Sequence, residues 1–358
     1  MKHCSILFFV FSVLFVVGFY GCGGDDAISE QDHQKEQSAR IEKYKFLTMW
    51  NSKIWENWLS DPTDIAADNS GNIYVTSTEL KKIMKFSSDC AFLEEWGFEA
   101  GFLSFLEGED VKFGGFRRPM GITVDGLGNV YVADAGYKSD ESDGSVKKFT
   151  SDGVFLTKWD IPCESVGVDR IGNMYVIGTG KYVQKFSPSG NLLKEWEPEG
   201  FSNPLTMISA RVSLSGLPKS LAVDRSGNVY VIVKADGEYP FRGDQCVQKF
   251  TSEGVLLARW ESYIENEKHG IEGVYDITTD SSGNVYIAGL SGFCKYSQDG
   301  VYLGGFNGSY DVSSDGMFPG EFEFICCIAA DDSQNVFIVD NIIESNGLER
   351  GRIQKFGR

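Results

Sequence analysis

The chain has 358 residues, 42% hydrophobic and 13% aromatic, which is enough to bury a sizeable core, and its formal net charge is -18. So acidic a balance, with no cluster of Lys and Arg, argues against nucleic acid as a partner while leaving cationic ligands and basic protein surfaces open. Three histidines and eight cysteines, with no two cysteines at zinc-finger spacing, argue against a built zinc site.

At the N-terminus, Lys2 precedes an apolar stretch from Ile6 to Val17 broken only by Ser12, followed by Phe19-Tyr20-Gly21-Cys22. This is the build of a secretory signal, and the stretch is short for a membrane span. The small residue before a cysteine resembles a bacterial lipoprotein lipobox, with Phe19 and Tyr20 bulkier than is usual there. The resemblance implies that residues 1–21 are a signal peptide and that Cys22 becomes the acylated first residue. It also implies a location in the bacterial cell envelope, lipid-anchored on the outer-membrane or periplasmic side. Gly23 after the cysteine is similar to the outer-membrane sorting pattern. Residues 22–41 are polar, lack the apolar content to fold and read as a tether.

From residue 42 onward one unit recurs six times. An apolar run ends in Asp, turns through Gly-Asn, continues as an alternating strand, and later reaches Lys-aromatic and then an aromatic ten residues on. The turns begin at Asp68, Asp125, Asp169, Asp224, Asp280 and Asp331, and only the last has lost its glycine, to Gln334. Gly-Asn supplies residues that tolerate positive φ, so each turn joins two antiparallel strands. The turns lack calcium-loop ligand spacing and read as hairpins. A second hairpin follows in each unit, for example at Ser151-Asp152-Gly153. Four strands per unit, here lettered a to d, repeated six times, predict an all-β, six-bladed β-propeller over residues 42–358.

The last unit stops at Ile353-Gln354-Lys355-Phe356, a strand c, while Phe46-Leu47-Thr48-Met49-Trp50 matches a strand d. Pairing the two closes the ring. The aromatics ending the d strands are Trp96, Trp159, Trp196, Trp260, Phe306 and Trp50, and their fixed position reads as packing between blades rather than a sugar site. The ammonium groups of the Lys-aromatic pairs read as solvated strand faces.

Segments such as Phe116-Arg117-Arg118-Pro119-Met120-Gly121-Ile122-Thr123-Val124-Asp125, followed by Gly128-Asn129-Val130-Tyr131-Val132-Ala133-Asp134, resemble the NHL repeat. The resemblance implies a propeller, and members of such folds bind proteins, RNA or small molecules, with a few acting as metal-dependent hydrolases or lyases.

Length variation falls on one face. The a–b and c–d turns are uniform, whereas the b–c connections are long in blades two, four and six and the d–a connections vary throughout. Binding residues concentrate on loops of a rigid scaffold. This predicts recognition through Tyr137, Tyr239, Phe241, Arg242 and Arg350 on that face. Residues opening strand a are expected to ring the channel: Asp64, Met120, Glu164, Lys219, Asp276 and Cys326.

The leading expectation is a monomeric, membrane-anchored binding or scaffold module that recognises an envelope protein, glycan or small molecule, without cofactor, metal or catalytic residues. The alternative is a Ca²⁺- or Zn²⁺-dependent propeller hydrolase or lyase at the channel mouth, with Asp64, Glu164 and Asp276 as oxygen ligands. The six cysteines from Cys90 to Cys327 allow many pairings, and buried structural thiols are the expected state. A direct bond from Cys163 to Cys326 or Cys327 would have to cross the ring.

Overall fold

A computed structural model describes residues 41–51, 59–97, 114–136, 143–178, 182–198, 220–234, 245–261, 273–290, 292–308, 320–343 and 349–358. Within the unit that begins at Ile41, the strands form six antiparallel sheets. Blade one is Pro62–Ala67, Ile73–Ser77, Lys82–Phe86 and Phe92–Trp96. Blade two is Pro119–Val124, Val130–Asp134, Ser145–Phe149 and Phe155–Trp159. Blade three is Ser165–Val168, Met174–Ile177, Val183–Phe186 and Leu192–Trp196. Blade four is Leu221–Val223, Val229–Lys234, Gln245–Phe250 and Leu256–Glu261. Blade five is Asp276–Thr279, Val285–Gly289, Gly292–Tyr296 and Tyr302–Asn307. Each strand a touches the strands a on either side, which closes a six-bladed ring.

Blade six closes as expected: Phe324–Ala330, Val336–Ile343 and Glu349–Gly357 are joined by Lys45–Asn51, with Phe46 opposite Phe356 and Trp50 opposite Ile353.

The a–b turns owe their uniformity to one network. Asp224 Oδ1 accepts the N–H of Ser226 and of Asn228, both at 2.9 Å, while Oδ2 accepts Asn228 Nδ2 at 2.8 Å and the Tyr230 hydroxyl at 3.0 Å. The same four bonds form at Asp68, Asp125, Asp169 and Asp280. Only the glycine takes positive φ; the asparagine contributes its two donors instead. The tyrosine ring is thus buried with its hydroxyl satisfied.

Between blades, each d-strand tryptophan lies on the c–d turn of the next blade. A Cβ at Gly153 would sit 2.6 Å from Trp96, and one at Gly190 2.3 Å from Trp159, so these turns need glycine for space. Blade one carries Cys90 at this place, with φ of 60° and in the same cluster as Trp50.

Except for half-buried Lys148 of blade two, which pairs with Asp125 of its own blade, the lysines of the Lys-aromatic pairs are buried, which overturns the expectation of solvated ammonium groups. Lys85, Lys185, Lys249 and Lys355 lie over the blade's own aromatic ring at 5.5 to 5.7 Å and reach into the c–d turn of the following blade. Lys85 donates to the Ser151 carbonyl at 2.8 Å, Lys249 to that of Gln298 at 3.1 Å and Lys355 to that of Ser88 at 2.6 Å. Their stems pack while their heads find acceptors, so the spacing that looked like a solvated face is an interblade fastening.

Lys295 of blade five has no such turn to meet, because blade six is built from the two ends of the described unit. Two residues substitute. Glu42 and Gln334 accept from Lys295 at 2.8 and 3.0 Å, and both accept from Arg358. Gln334 takes the positive φ that glycine has in the other turns, 63°, and adds the side-chain acceptor that glycine lacks. Glu42–Lys43 adds a fifth, parallel strand to the outer edge of blade five, beside Gly304 and Gly305, where a Cβ on Gly304 would meet the Glu42 carbonyl at 2.1 Å. The Gly-Gly pair in this strand d is a sequence signal for that close approach.

Candidate functional site

Strand a is the inner edge of every blade and has a sheet neighbour on one side only, so part of its backbone N–H row faces the channel. Side chains of the adjoining blade take up those groups. Asp64 Oδ2 accepts the N–H of Ile122 at 2.7 Å and Asp276 Oδ2 that of Ile328 at 2.8 Å, while Ser165 Oγ accepts that of Leu221 at 3.2 Å. Each acid also accepts the N–H of the residue after it, Ile65 and Ile277, both at 2.8 Å. The Ser220 hydroxyl binds Asp276 Oδ1.

These residues define a ring of Asp64, Gly121, Ser165, Ser220, Asp276 and Cys327, each four positions before its turn aspartate. The expected ring of Asp64, Met120, Glu164, Lys219, Asp276 and Cys326 mixes two registers. In blades two and six a bulge falls at the misplaced residue, Met120 or Cys326, and one extra residue exchanges the faces of a strand. Met120, Glu164 and Cys326 stand one residue nearer the start of strand a. Met120 Sδ lies 3.7 Å from the Thr78 hydroxyl, Glu164 pairs with Arg118 at 3.4 Å, and Cys326 Sγ lies 3.7 Å from the Phe324 carbonyl. Cys22, Lys219, Tyr137, Tyr239, Phe241 and Arg242 lie outside the described residues.

Beyond the ring, the six a strands enclose about 130 Å³, lined among others by Ala67, Val124, Val168, Val223, Thr123 and Thr278. Burial pushes the Asp276 carboxyl up to about 6, against the pull of the Ser220 hydroxyl and two N–H groups. Asp64 is held well above the ordinary carboxylate range, first by burial and then by the charge of Asp276. With Glu164 turned to Arg118 and the two aspartates bonded to the backbone, the three carboxylates expected to hold a cation do not converge, and the residues present do not fit such an ion. Among the described residues no group of three or more His, Cys, Asp or Glu side chains gathers as metal ligands.

The six described cysteines are free thiols. Burial pushes the Cys90 and Cys294 thiols up to about 12 and also raises those of Cys163, Cys326 and Cys327, which favours the protonated, weakly nucleophilic form.

At the opposite mouth Arg225 of blade four spans to blades six and one. Its Nη2 donates to both oxygens of Asp332, at 3.0 and 2.8 Å, and to Asn69 Oδ1 at 3.2 Å.

On the face carrying the b–c and d–a connections, the roots of the long loops are individually clamped. In blade two, buried Asp134 accepts the N–H of Arg117 at 3.0 Å, that of Arg118 at 2.6 Å and the Lys147 ammonium at 2.6 Å. In blade four, Gln245 binds both backbone groups of Val274, accepting its N–H at 2.6 Å and donating to its carbonyl at 3.2 Å. In blade six, Asp340 accepts from Arg352 Nε at 3.1 Å and Nη2 at 2.5 Å, and the N–H of Gly351 reaches the Leu59 carbonyl at 2.7 Å. Sequence reasoning missed Asp134 and Asp340; an acid directly after four apolar residues of strand b was the available signal.

No family model matches the chain, so the NHL resemblance rests on the repeat residues alone, and no curated protein matches it. Solved structures do. A gluconolactonase from Xanthomonas campestris is 12% identical with a TM-score of 0.50, covering 84% of this chain and 89% of its own. A virginiamycin B lyase from Staphylococcus aureus is 11% identical, TM-score 0.48, covering 88% and 100%. A protein of unknown function from Bacteroides caccae is 17% identical, TM-score 0.47, covering 72% and 85%. At such identities the likeness is one of architecture, and the chain is a six-bladed β-propeller similar in fold to that gluconolactonase.

Proposed function

We propose that the chain is a lipid-tethered, extracytoplasmic binding or scaffold module that recognises a protein, glycan or small molecule through the face bearing its b–c and d–a connections. The observation that carries this reading is the set of buried clamps beneath that face. Blades two, four and six have the long b–c connections, and each fixes a loop root: blades two and six by a buried acid paired with a strand-c cation, Asp134 with Lys147 and Asp340 with Arg352, and blade four by Gln245 with Val274. Charges are taken out of water there to hold backbone in place, which suits a face whose geometry matters.

The hydrolase or lyase reading is the less supported one, because Asp64 and Asp276 serve the backbone of neighbouring blades. Capture of a partner from envelope extract by the intact protein, compared with a variant whose three long b–c connections are cut to the length found in blade three, is the direct test. Undiminished capture by the shortened variant sinks the proposal. A thermal shift with Ca²⁺ or Zn²⁺ that Asp64→Asn abolishes would move the enzyme reading forward.

A further inference from the structure

The face opposite the clamped loops exposes single valines beside three c–d turns, Val154, Val255 and Val301, and two larger apolar side chains in neighbouring a–b turns. Leu127 is 90% exposed and Ile171 77%, the two most exposed large apolar side chains among the described residues. Both sit two positions after the turn aspartate, in adjacent blades two and three, and each donates its backbone N–H to that aspartate, at 2.9 and 3.0 Å. The turns are therefore fixed and the side chains are presented outward. In the other four blades the same position is Ser70, Ser226, Ser282 or Ser333, so nothing in the turn calls for an apolar residue. Exposed Arg170 stands beside Ile171.

The described chain also begins on this face. Glu42 meets Lys295, which also donates to Gln334, the a–b turn residue of blade six, on the side of the ring across from blades two and three. Although the net charge is -18, acids of this face are paired: Asp152 with Lys85, Glu253 with Lys185, Asp332 with Arg225.

We infer that this face docks on a lipid surface, with Leu127 and Ile171 entering the headgroup layer and Arg170 beside a headgroup phosphate. The inference rests on the tether reading. Two side chains are too small a patch for a stable protein interface. They suffice for a chain already held at a bilayer, where the tether supplies a high effective concentration. In the tether reading residues 22–41 join an acylated Cys22 to the start of the ring on this same face, which makes a bilayer the matching occupant. Tether root and apolar pair, on opposite sides of the ring, together turn the clamped loop face away from the membrane.

The test places a photo-crosslinking amino acid at position 127, 171 or, as a control on the loop face, 160, in the full-length acylated chain bound to phosphatidylcholine vesicles. Lipid adducts at 127 and 171, at least fivefold above 160, are expected, and Leu127→Ser should reduce the adduct at 171 several-fold while introducing only the serine of the other blades. Adducts at 160 instead, or none at any position on protein that floats with the vesicles, overturn the docking and leave the tether standing. Adducts to a second copy of the chain overturn it in favour of self-association. If the chain does not float, the tether reading fails. The same chain is then attached through a hexahistidine inserted before residue 23 to nickel-chelating lipid, where adducts at 127 sustain the docking and their absence overturns it.

Discussion

The two faces of the propeller are ordered by different means. On the uniform face one local network, Asp with Asn and Tyr four and six residues on, is made five times over. On the loop face the roots depend on contacts made in only one or two blades and joining residues farther apart, such as Asp340 with Arg352, matched only by Asp134 with Lys147 among the described residues, and Gln245 with Val274. Repetition makes a face cheap to specify and difficult to diversify. Single buried clamps leave neighbouring loops free to differ.

The largest effect that would sharpen this contrast is expected at Arg352. Its guanidinium and Asp340 are both essentially inaccessible. Arg352→Ala strands a buried carboxylate and should cost about 3–5 kcal/mol, seen as a lower urea midpoint, whereas replacing both partners by apolar residues of similar volume should recover most of it. A loss under 1 kcal/mol for the single variant would break the comparison. Asp224→Ala, which removes four hydrogen bonds from one turn, should cost about 2–3 kcal/mol, because the buried Tyr230 hydroxyl loses its acceptor.

A pH effect of similar size is expected from the channel ring. The folded-state pKa of Asp276 is raised to about 6, so the folded chain binds a proton that the unfolded chain releases. Its contribution to stability grows as pH falls from 6 towards 4 and is lost as pH rises through 6, about 2–3 kcal/mol in all. Asp276→Asn keeps an acceptor for Ile328 and should flatten this part of the stability–pH curve. An unchanged slope would mean that the carboxyl does not titrate there. The smallest effect is expected for Tyr230→Phe, about 1 kcal/mol, since blade six already manages with Phe337 at that position.

Blade number, ring closure and the role of the tryptophans were legible in the sequence because each follows from a period or from local turn chemistry. The channel ring was legible at two of its six positions. Asp64 and Asp276 were placed correctly, but bulges at Met120 and Cys326 leave no mark in composition, and a one-residue error exchanges channel and neighbour. The lysine fastenings were missed because alternation along strand c is the same whether an ammonium meets water or the next blade. The clamps were missed because Asp134 and Lys147 meet across a long connection whose path no spacing reveals.

Closure of blade six imposes an order on assembly. Phe46 finds its partner only when Phe356 has been made, at the far end of the chain, and Glu42 can meet Arg358 no sooner. Until then Lys45–Asn51 is an unpaired strand with an apolar edge, and blades one to five form an open arc with two bare ends, the kind of species that aggregates. Contacts this distant in sequence make for slow folding. A chain interrupted a few residues short of its last strand would therefore be expected to lose the ring as a whole rather than one blade of it, and quality control would meet an all-or-none product.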